Sequence, residues 1–461
     1  MADHIDEVLR RVAAALSAQI APELSSALAR DAANFGAGLL RGALLENLAQ
    51  SRKTDYEKSL QTIVKPMLDG NAASRDSIGA WVEKLYLQSG SPDNIKEKSA
   101  AEVLAAIVAE EGKLQAGIRA DDAAENQLAA SDEEIVTPAS LAAYLRRKLD
   151  RTDIDVINIL LIPGGGSKIT RIVSLRPVAG LPAEMIMRQD YAYNHVGNSI
   201  ISEYPILIAM HKAKLPVAPP LFLEHEATAM GAPFMMVLKV PGRNIGNLWG
   251  FFADTEPRPV CLELAKVLAT IHQTTAANVD ASIPLRQRVV DQISDIHGKW
   301  SKGRSSISPV IALSLLWLVE NLDTEDAVPA LVHGDCAFTN ILVHEGKLSA
   351  LLDWEFAHIG DPAEDLAYVK NVVEQVMPWR EFIDAYCAAG GHAPSARRLH
   401  YFDVWRALRN VIYAGLAGEA FCNGQARSLM LGWAGIYAVP LLEQQLIGMI
   451  GDSWKPKTAK H

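Results

Sequence analysis

The feature that most constrains the fold is a set of polar residues held between short apolar runs. The stretch His333-Gly334-Asp335-Cys336-Ala337-Phe338-Thr339-Asn340 follows Ala330-Leu331-Val332 and precedes Ile341-Leu342-Val343. Thirteen residues after the asparagine comes Asp353-Trp354-Glu355, directly behind Leu351-Leu352. Short apolar runs bounded by polar residues are typical of buried strands. The two acids and the asparagine are therefore expected at strand ends, where a backbone scaffold holds side chains firmly.

This pattern, H-x-D-x-x-x-x-N with a further acid after a strand, supplies the parts that kinase-type phosphoryl transfer requires. Asp335 is the candidate to accept the proton of the attacking hydroxyl. Asn340 and Asp353 are the candidates to hold magnesium. The alternative is a β-hairpin with incidental polar residues in its turns, and the motifs that follow in the sequence disfavour it.

Several neighbouring residues define the pattern further. Gly334 stands where protein kinases have arginine, and Asp353-Trp354-Glu355 stands in place of D-F-G. Gly360-Asp361-Pro362 and Asp365-Leu366-Ala367 follow. On these residues the chain resembles the aminoglycoside phosphotransferase and choline kinase superfamily, over about residues 137–440. The resemblance implies an α+β, two-lobed protein-kinase-like fold that binds ATP and Mg²⁺ between its lobes.

A lobe for ATP is present upstream. The apolar run 156–162, a glycine turn and the run 169–175 predict a hairpin whose bare backbone can approach phosphate oxygens. The predicted phosphate-binding residues of this turn are Gly164, Gly165, Gly166 and Ser167. Most glycine-rich hairpins bind nothing, so the inference depends on the motif downstream. The turn lacks the Gly-Lys-Ser/Thr of a P-loop, and no third glycine opens a helix as in a dinucleotide fingerprint.

The resemblance also implies roles for residues of the following strands and helix. Arg188 stands where kinases place the lysine that holds the α- and β-phosphates, and a guanidinium can form bidentate hydrogen bonds with phosphate. A solvated strand end is the alternative for this arginine. Glu203, on the next predicted helix, is its expected partner. Leu238 and Val240 are expected at the hinge, where backbone groups meet adenine.

Composition restricts the remaining classes. The net charge of −10 argues against a general nucleic-acid-binding protein. Four cysteines without a C-x-x-C pair suggest a reducing compartment. Without a basic signal-peptide region or an apolar stretch of about 18 residues, we expect a cytoplasmic protein and no membrane partner. Cys336 beside His333 raises the alternative of a thiol enzyme, but the kinase interpretation explains both residues better.

The sequence predicts four regions. Residues 1–118 are expected to form a helical bundle, because amphipathic stretches follow one another there without a catalytic constellation. Residues 119–136 are expected to be an acidic linker, 137–240 the N-lobe and 241–461 the C-lobe. Thr137-Pro138 predicts the N-cap and first turn of a helix. Homo-oligomer formation through the helical bundle is a further expectation.

The acceptor is expected to be a small molecule with a hydroxyl group. After residue 370 the chain has seven acids against nine Lys and Arg, whereas a polycationic aminoglycoside calls for an acidic site. Tyr401-Phe402-Asp403-Val404-Trp405-Arg406 is similar to the kinase-like domains fused to acyl-CoA dehydrogenases, which act on hydroxyacyl groups. We therefore expect an apolar or anionic alcohol or hydroxy acid, including a hydroxyacyl thioester. An aminoglycoside kinase, a pseudokinase-type scaffold and a nucleotidyl transferase are the alternatives.

Overall fold

The computed structural model describes most of the chain beyond residue 135. The described residues are 136–162, 167–191, 197–246, 251–252, 255–274, 283–303, 308–324, 327–422 and 429–451, with Ala80, Val82 and Ile107. Apart from those three residues and Val136, the predicted helical bundle and acidic linker lie outside the described residues and remain predictions. The chain divides into two compact units. The first unit is Glu133–Val289 with Thr324–Asp403, and the second is Met1–Asp132 with Val290–Asp323 and Val404–His461.

The first unit contains a five-stranded antiparallel sheet. Its strands are β1 Val156–Ile162, β2 Lys168–Leu175, β3 Glu184–Asp190, β4 Pro220–Glu224 and β5 Phe234–Leu238. They lie in the order β1-β2-β3-β5-β4. β1 and β2 form the predicted hairpin, with Ile162 opposite Thr170. The predicted glycine turn, Gly164–Gly166, lies outside the described residues.

Helices cover and connect these strands. They are α1 Pro138–Lys148, α2 Ile200–Lys212 and the short α3 Ala227–Met230. α1 begins as the sequence predicts, because the Thr137 hydroxyl accepts a hydrogen bond from the Ser140 amide and proline occupies the first turn. Leu141 and Leu145 belong to one buried apolar cluster with Met185 of β3. Burial of this apolar surface holds α1 against the sheet.

The remaining elements complete both units. In chain order they are β6 Arg243–Asn244, α4 Pro257–Gln273, α5 Leu285–Gly303, α6 Pro309–Asn321, β7 Ala330–Val332, β8 Ile341–His344, β9 Lys347–Leu351, β10 His358–Gly360, α7 Ala363–Val373, α8 Trp379–Ala388, α9 Ala396–Cys422, α10 Leu429–Trp433 and α11 Val439–Gly451. β6, β8 and β9 form one small sheet, and β10 pairs with β7 in another. The strands predicted before and after the 333–340 stretch are thus present as β7 and β8.

The regular elements that the structure describes in the second unit are all helices. The π-helical turn Ala434–Ala438 joins α10 to α11. Gly418 and Gly435 bring two helices into backbone contact, since a Cβ on Gly435 would lie 2.1 Å from the Gly418 Cα. α6 is buried from Pro309 to Leu318. Within the described residues, no helix combines the length and the apolarity needed to cross a bilayer.

Candidate active site

The 333–340 stretch forms a loop that leaves β7 and is anchored by a buried aspartate. Asp365, in the first turn of α7, accepts hydrogen bonds from the backbone amides of His333 and Gly334, both at 2.8 Å. His272, at the end of α4, contacts the same carboxylate at 3.1 Å. Burial alone would raise the pKa of Asp365, but the hydrogen bond and charge of His272, with the contribution of His333, lower it. Asp365 therefore holds the start of the loop as a carboxylate.

His333 links the loop to the segment after β9. Its Nε2 atom lies 2.9 Å from the carbonyl oxygen of Leu352, and its Nδ1 accepts a hydrogen bond from the Asp335 amide at 3.2 Å. A carbonyl oxygen can only accept, so the neutral tautomer with hydrogen on Nε2 satisfies both contacts. The ring is buried and packs edge-on against Trp354. His333 is thus a structural residue that fixes the position of Asp335.

Asp335 and Asn340 are brought together at the end of this loop. The Asn340 amide nitrogen donates to the Asp335 carboxylate at 2.9 Å and to the Asp335 carbonyl oxygen at 3.0 Å. A single 3-10 turn, Phe338–Asn340, returns the chain to β8 and makes this contact. With its amide nitrogen on Asp335, the side-chain carbonyl oxygen of Asn340 is left as the atom that could bind a cation.

Asp353 follows β9 in a left-handed backbone conformation with φ of 66°. Non-glycine residues adopt this region at a cost, and such residues are found preferentially at functional sites. One carboxylate oxygen of Asp353 accepts from Arg188, and the side chain is 26% exposed. The carboxylate therefore remains accessible from solvent.

Arg188 lies between two carboxylates. From β3 its guanidinium donates to Glu203 of α2 and to Asp353. Burial alone would lower the pKa of Arg188, but the charges of Glu203 and Asp353 outweigh it and raise the pKa. The alternative of a solvated strand end is therefore wrong. The expected contact between Arg188 and Glu203 is present.

Glu203 also joins α2 to the segment after Asp353. The carboxylate oxygen that meets Arg188 also accepts the backbone amide of Trp354 at 3.2 Å. Burial raises the pKa of Glu203 and the charge of Asp353 adds to this, against the opposing effect of Arg188. Its second oxygen is buried without a hydrogen-bond partner. A buried oxygen without a hydrogen bond costs free energy of folding. The contacts of the other oxygen with Arg188 and Trp354 offset this cost and hold α2 in position.

The remaining predicted residues lie around this centre. The Ser167 hydroxyl donates to Glu355, two residues beyond Asp353. Leu238 ends β5, and Val240 follows outside the strand. The Leu238 amide donates to the Pro219 carbonyl at 2.9 Å, so that N–H group is already bonded. An adenine contact predicted at this hinge would need the carbonyl of Leu238 or the backbone of Val240.

A magnesium ion fits the donor set, provided that most ligands come from elsewhere. The carboxylate of Asp353 and the amide oxygen of Asn340 are the hard oxygen donors that Mg²⁺ prefers. No group of three or more His, Cys, Asp or Glu side chains within the described residues is arranged to hold a metal. Magnesium in kinase sites uses one or two protein ligands, with phosphate and water completing the shell. The two predicted residues therefore suit a nucleotide-bound ion better than a resident one.

Sequence reasoning missed four charged residues that organise the site. They are Lys168, Asp190, Glu355 and Asp365. Lys168 follows the glycine turn directly, and Glu355 belongs to the same triplet as Asp353. Their burial is the property that separates them from surface charges. The sequence contains no signal of burial for Lys168 and Asp190, whereas Glu355 and Asp365 belong to the two motifs that follow β9.

Part of the chain matches a known protein family. Residues 183–405 match the family model described as the phosphotransferase enzyme family, APH. This region is a phosphotransferase-family domain. It contains Asp335, Asn340 and Asp353 together with the Arg188–Glu203 pair. The glycine hairpin lies before the matched region.

The chain is also similar to parts of longer curated proteins. Mouse acyl-CoA dehydrogenase family member 11 is 29% identical over 262 residues, which cover 51% of this chain and 32% of that protein. Mouse acyl-CoA dehydrogenase family member 10 is 27% identical over 177 residues, covering 37% of this chain and 16% of that protein. The chain thus spans less than a third of these relatives.

Solved structures agree on the fold. A Ralstonia eutropha protein, provisionally described as an aminoglycoside phosphotransferase, superposes with a TM-score of 0.51 at 20% identity. The match covers 70% of this chain and 99% of that one. This likeness shows the kinase-like fold, and at this identity it carries nothing about the substrate.

Proposed function

We propose that this protein transfers the γ-phosphoryl group of ATP to a hydroxyl group of a small molecule, with Mg²⁺ as cofactor. The observation that carries the proposal is the convergence of side chains from four separated segments. The 333–340 loop brings Asp335 to Asn340, while Arg188 joins Glu203 of α2 to Asp353. Membership of the matched region in a phosphotransferase family supports the same chemistry.

The proposed reaction assigns each residue a distinct task. The oxygen of the acceptor hydroxyl bonds to the γ-phosphorus while the bond between that phosphorus and the oxygen of ADP breaks. Asp335 accepts the proton that the hydroxyl loses. Asn340 orients the Asp335 carboxylate through its amide nitrogen and, with Asp353, provides the oxygens that would hold magnesium. The ion, when bound, neutralises charge on the phosphates.

Arg188 is proposed to hold the α- and β-phosphates. A guanidinium has five N–H donors, so its contacts with two carboxylates leave donors for phosphate oxygens. Glu203 fixes the direction of the guanidinium, because it also bonds the backbone at Trp354. Positioning and charge neutralisation, rather than a covalent intermediate, then account for most of the catalysis.

We propose an apolar or anionic alcohol or hydroxy acid as acceptor, including a hydroxyacyl thioester, rather than an aminoglycoside. The near-balance of charges after residue 370 supports this choice, since a polycation needs an acidic site. The relatives in the acyl-CoA dehydrogenase family support it too. The aromatic residues of the 401–406 segment give no support to this acceptor class, because Tyr401, Phe402 and Trp405 are buried core residues.

The proposed function is tested by measuring which phosphorus of radioactive ATP is transferred to an acceptor. The full chain is incubated with ATP labelled at the γ- or the α-phosphorus and with a panel of hydroxyl compounds, including hydroxyacyl thioesters. Transfer of the γ-label supports the proposal. Transfer of the α-label identifies a nucleotidyl transferase, and the absence of transfer and of nucleotide binding identifies a scaffold.

Kanamycin serves as the contrasting acceptor in the same assay. We expect no saturable phosphorylation of it. A kcat/KM for kanamycin at or above roughly 10⁴ M⁻¹s⁻¹, the ordinary range of enzymes on their substrates, would overturn the proposed acceptor class while leaving the phosphotransferase assignment intact.

A further inference from the structure

A buried lysine outside the predicted site joins three segments around it. Lys168, the first residue of β2, is 2% exposed. Its ammonium group lies 2.6 Å from Glu355, 2.9 Å from the Asn198 carbonyl oxygen and 3.7 Å from Asp190. Removing an ammonium from water is costly unless partners surround it, so this arrangement requires all three oxygens. Nothing in the proposed transfer of phosphate uses Lys168 directly.

Each partner of Lys168 belongs to an element that shapes the nucleotide site. Glu355 lies in the 3-10 turn directly after Asp353, and its other oxygen accepts from the Ser167 hydroxyl. Asp190 ends β3 and accepts from the Ser199 hydroxyl at 2.6 Å and the Ile200 amide at 3.1 Å. Asp190 thereby caps the start of α2. One ammonium group thus connects the hairpin, the start of α2 and the segment after Asp353.

Two parallel ion-pair links therefore join α2 and the sheet to the 353–355 segment. The outer link runs from Glu203 through Arg188 to Asp353. The inner link runs from Asp190 through Lys168 to Glu355. Lys168 supplies the positive charge between the carboxylates of Asp190 and Glu355. Without the lysine, two buried carboxylates would face each other across the inner link.

We propose that Lys168 and Glu355 are positioning residues for the phosphate and metal end of the nucleotide site. Their ion pair fixes the C-terminal side of the glycine hairpin against the segment that carries Asp353. Through Asn198 and Asp190, Lys168 also holds the start of α2, from which Glu203 directs Arg188. This inference rests on the proposed ATP-dependent function. It assigns the pair no contact with the reacting atoms.

The experiment measures nucleotide binding by calorimetry on the full chain. Lys168→Met and Glu355→Gln are each expected to weaken binding of ATP with Mg²⁺ by about tenfold or more, while binding of adenosine, which lacks phosphates, changes little. The combined variant should be no weaker than Lys168→Met alone, because that change already removes the contact that Glu355→Gln removes. Lys168→Arg, which keeps the charge, should restore most of the affinity.

Controls separate positioning from general destabilisation. Lys148→Met removes the ion pair between an exposed lysine and the partly buried Glu224 in the same unit, and it should leave ATP affinity unchanged. Glu355→Gln preserves the size of the side chain and one acceptor oxygen, so it tests the inference even if Lys168→Met fails to fold. Wild-type affinity for ATP with Mg²⁺ in Glu355→Gln, or an equal loss of ATP and adenosine binding, would overturn the inference. A wild-type protein that binds no ATP would overturn the proposed function as well.

Discussion

At the scale of single residues, the candidate site separates groups that act on substrate from groups that hold them. Asp335 is the proposed proton acceptor, and its carboxylate is set by Asn340. Asp365 acts indirectly. It accepts hydrogen bonds from the backbone amides of His333 and Gly334 and so holds the loop that carries Asp335. Cys336 lies between them without a chemical role, since burial and the charges of Asp365 and Asp335 raise its thiol pKa. A thiolate nucleophile is therefore unfavourable at this position.

Asp335→Asn tests the proposed proton acceptor. The amide keeps the size and polarity of the side chain but cannot accept the proton. We expect phosphoryl transfer to fall by about a hundredfold or more, with ATP affinity nearly unchanged. Steady-state kinetics and calorimetry measure the two effects. Asp384→Asn, at an exposed aspartate of α8, is the control, and near-normal turnover of Asp335→Asn would remove Asp335 from its assigned role.

Asp365→Asn tests the buried anchor through its dependence on pH. A carboxylate with a lowered folded-state pKa stabilises the protein above its unfolded-state pKa, about 3.9, and loses this effect as pH falls through the folded value. The variant should lose about 3 kcal/mol of unfolding free energy at neutral pH, because an amide cannot accept all the hydrogen bonds. The gap in unfolding free energy between the variant and the wild type should therefore narrow as the pH falls.

Urea denaturation of Asp365→Asn and wild type, at neutral pH and at about pH 3, measures that gap. Asp384→Asn again serves as the control, because its carboxylate is exposed and should contribute little at either pH. A deficit in Asp365→Asn that is the same size at both pH values would show that its carboxylate charge does not account for the anchoring.

At the scale of elements, the junction between β7 and the 333–340 loop depends on one glycine. Gly334 has φ of +76°, and a Cβ there would lie 2.6 Å from the backbone oxygen of Phe356. Two constraints therefore coincide, a left-handed backbone and a close approach of the segment that follows Asp353. Gly346, in the turn between β8 and β9, has the same φ of +76° with nothing within 4 Å of a Cβ.

Gly334→Ala and Gly346→Ala form a matched pair that isolates the close approach. Both should lose about 1 to 2 kcal/mol from the left-handed backbone. Gly334→Ala should lose more, together with most phosphoryl transfer, because the loop must move away from Phe356. Denaturation and activity assays of both variants provide the comparison. Equal stability and equal activity of the two would show that the contact with Phe356 is unimportant.

At the scale of the whole molecule, the proposed site depends on ligand as well as on folding. Asp190, Glu203, Asp353 and Glu355 surround the cations of Lys168 and Arg188. The carboxylates exceed the cations, so bound cations should stabilise the folded chain. A ligand that binds only the folded state raises the melting temperature, and the stabilisation grows with the logarithm of the ratio of ligand concentration to dissociation constant.

Asp353→Ala tests this linkage. In the wild type, ATP should raise the melting temperature much more with Mg²⁺ than with EDTA, because the ion strengthens nucleotide binding. The variant should lose most of that difference. Differential scanning fluorimetry measures it, and Asp384→Ala is the control at an exposed aspartate. A magnesium-dependent shift that survives in Asp353→Ala would place the ion elsewhere.

The sequence by itself determined the parts that local pattern encodes. The strands around the 333–340 loop, the β1–β2 hairpin and the N-cap at Thr137 depend on neighbouring residues, and each is present. The pairing of Arg188 with Glu203, 15 residues apart, is what the family resemblance implied, and it is present. Periodicity and capping are local properties, which is why sequence reasoning reaches them.

Tertiary structure alone decided which charges are buried and what they bind. Lys168 meets Glu355 across 187 residues of sequence, and Asp365 meets the His333 amide across 32. The hydrogen bond from the Leu238 amide to the Pro219 carbonyl likewise depends on how β4 and β5 pair. Such partners are chosen by the packing of distant segments. A buried charge is stable only where that packing supplies its counter-charge, and no local pattern in the sequence records the match.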